Sequence, residues 1–402
     1  MNLLFVSDVS VSDVIGGAER VLSEQCIRLV RRGHTVLVLT RRLPEHVSAH
    51  EIIQGVHEWR YEVVSRNAVS FFTSTLSNIR KLFENLQIKY PIDCINYHQP
   101  FSAYGLDRSH TAHKIRRIYT CHSLSFEEYQ SRNPTPQSFV KKLIYAVNVY
   151  GRKWIEKKVL NSSDKIIALS TFTKDKLRSA YGILPDKVIV IPGGVDLRRY
   201  YPSLEKSEIR KRLSIPNDHI ILFTVRNLVP RMGLDNLIYA MKDVVSKIDN
   251  VALLIGGSGP LKENLIVLTE KMGLGKHIHF TGFIPETDLP YYYRSSDLFI
   301  LPTLELEGFG LVTLEALASG VPVLGTPVGG TLEILNQFDS RYLFRSSKPE
   351  DMSNLILEFC HRLIKNHDFR KNISTQCRSF VEKHYSWERN VDALENVFLG
   401  HS

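Results

Sequence analysis

The sequence predicts an α/β protein of two domains, each a parallel sheet covered by helices on both faces. Three observations point there. Short, fully apolar runs alternate with helical patterns along the chain, the way strands buried on both faces read. The alternation occurs twice, with a turn-rich stretch between the two series. And 402 residues, 43% hydrophobic and 23% charged, hold enough apolar material for two cores.

Taken in order, "LLFVS" (3–7) is a short apolar run of buried-strand type. A polar loop containing Gly16 and Gly17 follows, then a helical pattern with Val21, Leu22, Cys26, Leu29 and Val30 on one face. "HTVLVLT" (34–40) is the second strand; later ones are "IDCINY" (92–97), "RIYTC" (117–121), "KIIALS" (165–170) and "KVIVIP" (187–192). The second series runs "IILFTV" (220–225), "VALLIG" (251–256), "HIHFTG" (277–282), "DLFILP" (297–302) and "VPVLGT" (321–326), with helical stretches between. Two Rossmann-like domains result, 1–200 and 201–385, with the boundary near "YYPSLEKSE" (200–208) and a final helix over 386–402. No short-period repeat and no low-complexity segment interrupts them.

Composition narrows the function classes. No apolar run approaches the roughly 20 residues that span a bilayer, and "MNLLFVSDVS" lacks the basic start of a signal peptide, so a cytoplasmic location is expected. Five widely spaced cysteines without Cys-x-x-Cys argue against a disulfide framework or zinc site. The net charge of +9 is uneven: residues 1–200 hold 29 basic and 18 acidic side chains, residues 201–402 hold 22 and 24. The basic half fits an anionic membrane surface, an anionic substrate, nucleic acid, or a solvated surface. No nucleic-acid-binding module accompanies it.

In open α/β sheets, ligands bind at the carboxyl ends of the strands. "TLELEGFG" (303–310) is the loop after the strand 297–302, and a helix starts near Gly310–Leu311 with Val312, Leu314, Leu317 and Ala318 inward. Glu307 then lies in the loop and Glu315 about one and a half turns into the helix. Gly308 and Gly310 permit close backbone approach, and free N–H groups at a helix start bind anions. Two carboxylates around such a break suit a ligand with a hydroxylated ring at each end and a diphosphate between. On spacing alone, a capped helix with two surface glutamates fits as well.

The stretch "LPTLELEGFGLVTLEALASGVPVLGTPVGG" (301–330) resembles the donor-binding signature of glycosyltransferase family 4, with its Glu-x7-Glu element. "GGAERV" (16–21), "ALSTFTKDKLRSAYG" (168–182), "VIPGGVD" (190–196), "LLIGGSGP" (253–260) and "FTGFIPETDLPYYYRSSDLFILP" (280–302) are also similar to family elements, so the resemblance covers nearly the whole chain. It implies the GT-B fold, two Rossmann-like domains facing across a cleft, the final helix crossing back onto the first. It implies transfer of a sugar from a nucleotide diphosphate sugar (UDP- or GDP-linked) with retained configuration, to a glycan or lipid-linked glycan. By position, Glu315 would bind the ribose hydroxyls and Glu307 the transferred sugar. The backbone of Phe309, Gly310 and Leu311 would lie against sugar and diphosphate, and that of Ile284 beside the base.

"VRNLVPRMG" (225–233) follows a strand, and its two arginines, Arg226 and Arg231, suit a diphosphate. The family usually has a lysine where Met232 stands, so Arg231 departs from the pattern by one position. His122 in "YTCHSL" (119–124) matches a family histidine that reaches the donor sugar. His98 and Gln99, after the strand 92–97, are candidates for the acceptor side. Gly16 and Gly17 form no G-x-G-x-x-G, which argues against a nicotinamide-dependent oxidoreductase, yet they resemble the family's loop near phosphate or acceptor. No Asp-x-Asp occurs, so neither a metal nor another cofactor is expected. The basic amphipathic pattern "SFVKKLIYAVNVYGRKWIEKKVL" (138–160) fits either a membrane-surface helix or a core-packed helix with a solvated face. The alternative to an enzyme is a non-catalytic nucleotide-sugar-binding subunit.

Overall fold

The computed structural model describes residues 1–11, 16–44 and 46–401. It divides into two compact units, Met1–Gly193 with Trp387–Ser402, and Gly194–Ser386. The chain changes unit at Gly193, short of Tyr200, because Tyr200 is buried with its ring edge-on to Tyr293 of the second unit.

The first unit is an eight-stranded sheet. Its strands are β1 (Asn2–Val6), β2 (Thr35–Arg41), β3 (His50–Ile53), β4 (Val56–Tyr61), β5 (Cys94–Tyr97), β6 (Arg116–Cys121), β7 (Lys165–Ala168) and β8 (Val188–Val190). Their order across the sheet is β3-β4-β2-β1-β5-β6-β7-β8. Successive side chains of β1 and β2 point to opposite faces. Leu4, Val6, Leu37 and Leu39 feed one core with Tyr97 and Tyr119. Leu3, Phe5, Val36 and Val38 feed the other, which the helices Gly17–Arg31 and Trp387–Leu399 close with Leu22, Cys26, Val391, Leu394 and Phe398.

All pairings in this sheet are parallel except β3 with β4. That hairpin adds an antiparallel edge strand to the parallel sheet expected from the sequence, and the apolar-run reading passes over it. Its turn residues Gln54 and Gly55 both have positive φ (49° and 87°), the backbone of the tight hairpin turn that matches strand twist. Val56, Glu58 and Arg60 are buried while His57 and Trp59 are half-buried, so the strand alternates instead of running apolar.

The second unit is a five-stranded, all-parallel sheet of β9 (Ile220–Val225), β10 (Val251–Gly256), β11 (Ile278–Gly282), β12 (Leu298–Leu301) and β13 (Val323–Gly325), in the order β11-β10-β9-β12-β13. All five cysteines are free and buried and serve as core residues.

Candidate active site

Strand order decides where a ligand site forms. In the second unit the chain winds from β9 outward to β11, then returns to place β12 on the other side of β9. The switch point therefore lies between the carboxyl ends of β9 and β12. Arg226 follows β9, and the loop carrying Glu307 follows β12.

The two side chains meet there. Arg226 Nη2 forms an ion pair with Glu307 Oε2, both side chains being at least nine-tenths buried. Thr303 Oγ1 donates to the same carboxylate oxygen at 3.3 Å and receives Arg226 Nη2 at 3.2 Å. Met232 Sδ accepts from Arg226 Nε at 3.2 Å and Nη2 at 3.0 Å, fixing the guanidinium plane. Arg231 reaches the same loop from another direction: its Nη1 donates to Leu306 O at 3.1 Å, and its carbonyl accepts from Leu304 N at 2.8 Å. Leu306 holds φ at 57°, a left-handed geometry that costs a residue with a Cβ on the order of 1–3 kcal/mol. The strain sits in the loop that aims Glu307.

The helix Leu311–Ala318 begins at Gly310, whose φ of 95° a side chain would not adopt. Leu314, Leu317 and Ala318 point inward as expected, but Val312 is only half-buried. Glu315, in contrast, is 3% exposed and accepts from Tyr293 Oη at 2.9 Å. This short helix is enclosed on most sides, and Glu315 shares the interior with its apolar neighbours. Phe309 turns its ring into the unit, 6.1 Å from that of Tyr385, leaving only its backbone beside Gly310. Ile284 is buried and caps the end of β10, where a Cβ on Gly256 would come 2.6 Å from its Cδ1.

The first unit has its own switch point, between β1 and β5. Gln99, after β5, accepts from Ser7 Oγ at 2.9 Å and from Asp8 N at 2.8 Å, tying the ends of the two strands together. Next to it the Thr120 hydroxyl donates to Asn96 Oδ1 at 2.9 Å, which leaves the Asn96 amide NH2 to donate to His98 Nε2 at 3.3 Å. His98 Nδ1–H then donates to His122 Nε2 at 2.9 Å. Nδ1–H of His122 is left buried, with no partner. Burial lowers both imidazoles, His98 well below its ordinary value and His122 to about 4, so both are neutral near pH 7. His98, Gln99 and His122 line a cavity of about 500 Å3. Gly16 caps the helix that Gly17 opens, and the loop residues 12–15 just before them lie outside the described residues.

Each unit thus gathers its own candidates. Arg226, Arg231 and Glu307 come together in the second, with Glu315 deeper on Tyr293; His98, Gln99 and His122 come together in the first. Thr303, Tyr293, Asn96 and Thr120 are partners that sequence reasoning passed over. Asn96 and Thr120 carry a usable signal, since each is a polar residue within the buried stretch of its strand.

Comparison with known proteins agrees with these two units. The family model "Glycosyltransferase Family 4" matches residues 15–199 and "Glycosyl transferases group 1" matches residues 205–376. An uncharacterized glycosyltransferase of Methanocaldococcus jannaschii is 27% identical over 380 residues, 92% of this chain and 90% of that one. A GDP-mannose-dependent phosphatidylinositol monomannoside mannosyltransferase of Mycobacterium tuberculosis is 28% identical over 251 residues, 61% of this chain and 64% of that one. Among solved structures, sucrose-phosphate synthase of Thermosynechococcus elongatus superposes with a TM-score of 0.77 at 21% identity, covering 99% of this chain and 98% of that one. Anabaena HepE in complex with UDP and glucose gives 0.76 at 17% identity, covering 99% of each chain. With two family models that together span nearly its whole length and an α/β architecture shared with these structures, the chain belongs to the family 4 type of glycosyltransferases and has the GT-B fold.

Proposed function

We propose that the enzyme transfers a sugar, with retained configuration, from a UDP- or GDP-sugar to a glycan or lipid-linked glycan. The observation that carries this reading is the Arg226–Glu307 pair at the β9/β12 switch point, a cation and a carboxylate held side by side. Arg226 and Arg231 take the diphosphate, Glu307 the hydroxyls of the transferred sugar and Glu315 the ribose. The backbone from Phe309 to Leu311 and at Ile284 lines the donor. In the first unit Gly16, Gly17, His98, Gln99 and His122 bind hydroxyl or phosphate oxygens. Two relatives support the donor class by their names: HepE was solved with UDP and glucose, and the mycobacterial mannosyltransferase depends on GDP-mannose.

The leaving diphosphate gains charge as the glycosidic bond breaks, and preorganised donors aimed at that charge are worth most in the transition state. The two arginines supply it without a metal, so turnover persists in excess EDTA. The exposed basic helix of the first unit keeps the enzyme at the inner face of a membrane; no helix among the described residues is long and apolar enough to cross one.

The test is a thermal-shift screen against UDP, GDP, ADP and their sugars, because a ligand that binds only the native state raises stability by mass action. One nucleotide series raises the melting temperature, and Arg226→Ala removes the shift. If no nucleotide or nucleotide sugar stabilises the protein, or EDTA abolishes transfer and added metal restores it, the corresponding part of the proposal fails.

A further inference from the structure

The first-unit cavity is unbalanced in a specific way. Among its described lining residues, three buried polar side-chain atoms have no hydrogen-bond partner: Arg41 Nε, Arg152 Nε and His122 Nδ1. All three are N–H donors, the arginines by their chemistry and His122 by the tautomer its bond from His98 imposes. A cavity whose unmet groups all donate lacks an acceptor.

Its charges point the same way. Neither Arg41 nor Arg152 forms an ion pair among the described residues. Arg41 Nη2 reaches only the carbonyl of Asp8, at 3.4 Å. Arg152 lies between two aromatic faces, its guanidinium carbon 5.0 Å from the ring centre of Phe101 and 4.6 Å from that of Tyr129. Burial lowers its pKa, which marks a cation short of compensation. The lining carboxylates do not restore the balance. Glu128 is paired with Arg132 and accepts from Ser123 Oγ at 2.9 Å. Asp8 remains as one carboxylate against two guanidinium groups, and its own burial raises it towards the neutral form.

We propose that this cavity is an anion subsite for the acceptor, taking an oxyanion such as a phosphate ester between Arg41 and Arg152, with His122 Nδ1–H as a third donor. The inference rests on the transferase reading above and deepens it: the acceptor carries a negative charge next to the hydroxyl that is glycosylated. The stacked guanidinium of Arg152 is held in place before the ligand arrives, so little ordering is lost on binding. The volume of about 500 Å3 admits a sugar-sized group with its phosphate.

The experiment is calorimetric titration of the intact protein, saturated with its nucleoside diphosphate, with glucose 6-phosphate, glucuronate and glucose. Saturation occupies the diphosphate site, so any anion that still binds does so elsewhere. We expect glucose 6-phosphate or glucuronate to bind and glucose not to. Arg152→Gln weakens the anion by about 10-fold or more, the usual worth of a charge-assisted hydrogen bond. Arg152→Lys, which keeps the charge over the rings but loses the planar fork, weakens it less. Nucleoside diphosphate affinity stays unchanged in both variants, which also reports that the protein is folded. Whichever anion binds identifies phosphate or carboxylate chemistry. Glucose binding as tightly as its phosphate, anion affinity indifferent to Arg152→Gln, or no anion binding overturns the subsite. Failure of every nucleotide to bind would instead sink the transferase reading, while an Arg152-dependent anion site would still be measurable.

Discussion

Glu307 and Arg226 satisfy each other, and that makes their roles separable from Glu315. Removing one partner of a buried pair leaves an uncompensated charge, typically at a cost of about 3–5 kcal/mol. Glu307→Ala should therefore lower the melting temperature, since Arg226 keeps only Met232 and Thr303. A nucleoside diphosphate supplies the missing anion, so its stabilising shift should exceed that of the wild type while turnover falls. Glu315→Ala should act in the opposite sense. It removes hydrogen bonds to a charged acceptor worth ~1.5–3 kcal/mol each, so affinity for the nucleoside diphosphate itself drops by about 10-fold or more. Calorimetry on both variants separates the roles, and an unchanged nucleotide affinity in Glu315→Ala rules out the ribose assignment. His122 adds a pH signature. Its pKa of about 4 keeps it neutral down to mildly acid conditions, so a step it serves as a donor should show no transition near pH 6.5.

At the scale of an element, the helix Phe139–Ser162 stands out. Its last turns are anchored by buried Ile155, Val159 and Leu160, but its first half leaves Phe139, Leu143, Val147 and Tyr150 exposed, Phe139 at 82% and Tyr150 at 72%. These sit at helical spacing on one stripe, with Lys141, Lys142, Lys157 and Lys158 on the same helix. A core-packed helix would have buried that stripe, so the exposure favours the membrane-surface alternative. Each basic residue near an anionic bilayer contributes about 1 kcal/mol. Vesicles containing anionic lipid should sediment with the protein, and salt should release it. Reversing the four lysines to glutamate should abolish binding, and Leu143→Asp with Val147→Asp should weaken it by loss of apolar insertion. Binding indifferent to salt, or absent, would leave the stripe unexplained by lipid. The β3–β4 hairpin teaches the converse lesson. Its alternation and its Gln54-Gly55 turn were legible, but a search for continuous apolar runs passes over a strand whose buried face holds Glu58 and Arg60, which satisfy each other.

Across the whole molecule, each unit has its own core, and one buried group should make the stability of the first depend on pH. Glu156, fully buried, accepts from Tyr119 and Tyr181 hydroxyls and from Ser125 N, and burial pushes it up to about 7. The native state thus holds a proton that the unfolded chain releases near pH 4.5. Stability falls as pH rises between those values, because the native state binds more protons there. The lowered histidines work in the other direction, costing stability as pH drops below 6.5. The variant Glu156→Gln isolates the first effect. Its stability relative to wild type should rise from near zero around pH 4.5 to roughly 3 kcal/mol by pH 8. Denaturant titrations across that range check it, and a gap independent of pH would mean that Glu156 is ionised throughout.

What the sequence by itself determined is local. Apolar runs, glycines and helical spacing specify β9 to β13 to within two residues of their observed ends, and the Gly310 break with its following helix, because dihedral preferences and side-chain periodicity act between neighbours along the chain. The candidate residues, too, were readable as residues that follow strands. Their companionship was not. Arg226 and Glu307 lie 81 positions apart, and His98 and His122 lie 24 apart. Only the strand order, with β12 returning beside β9 and β6 laid beside β5, brings each pair into contact. The same holds for the orphaned donors of Arg41, Arg152 and His122. A buried group is known to lack a partner only when everything packed around it is in place, and that is a property of the folded interior.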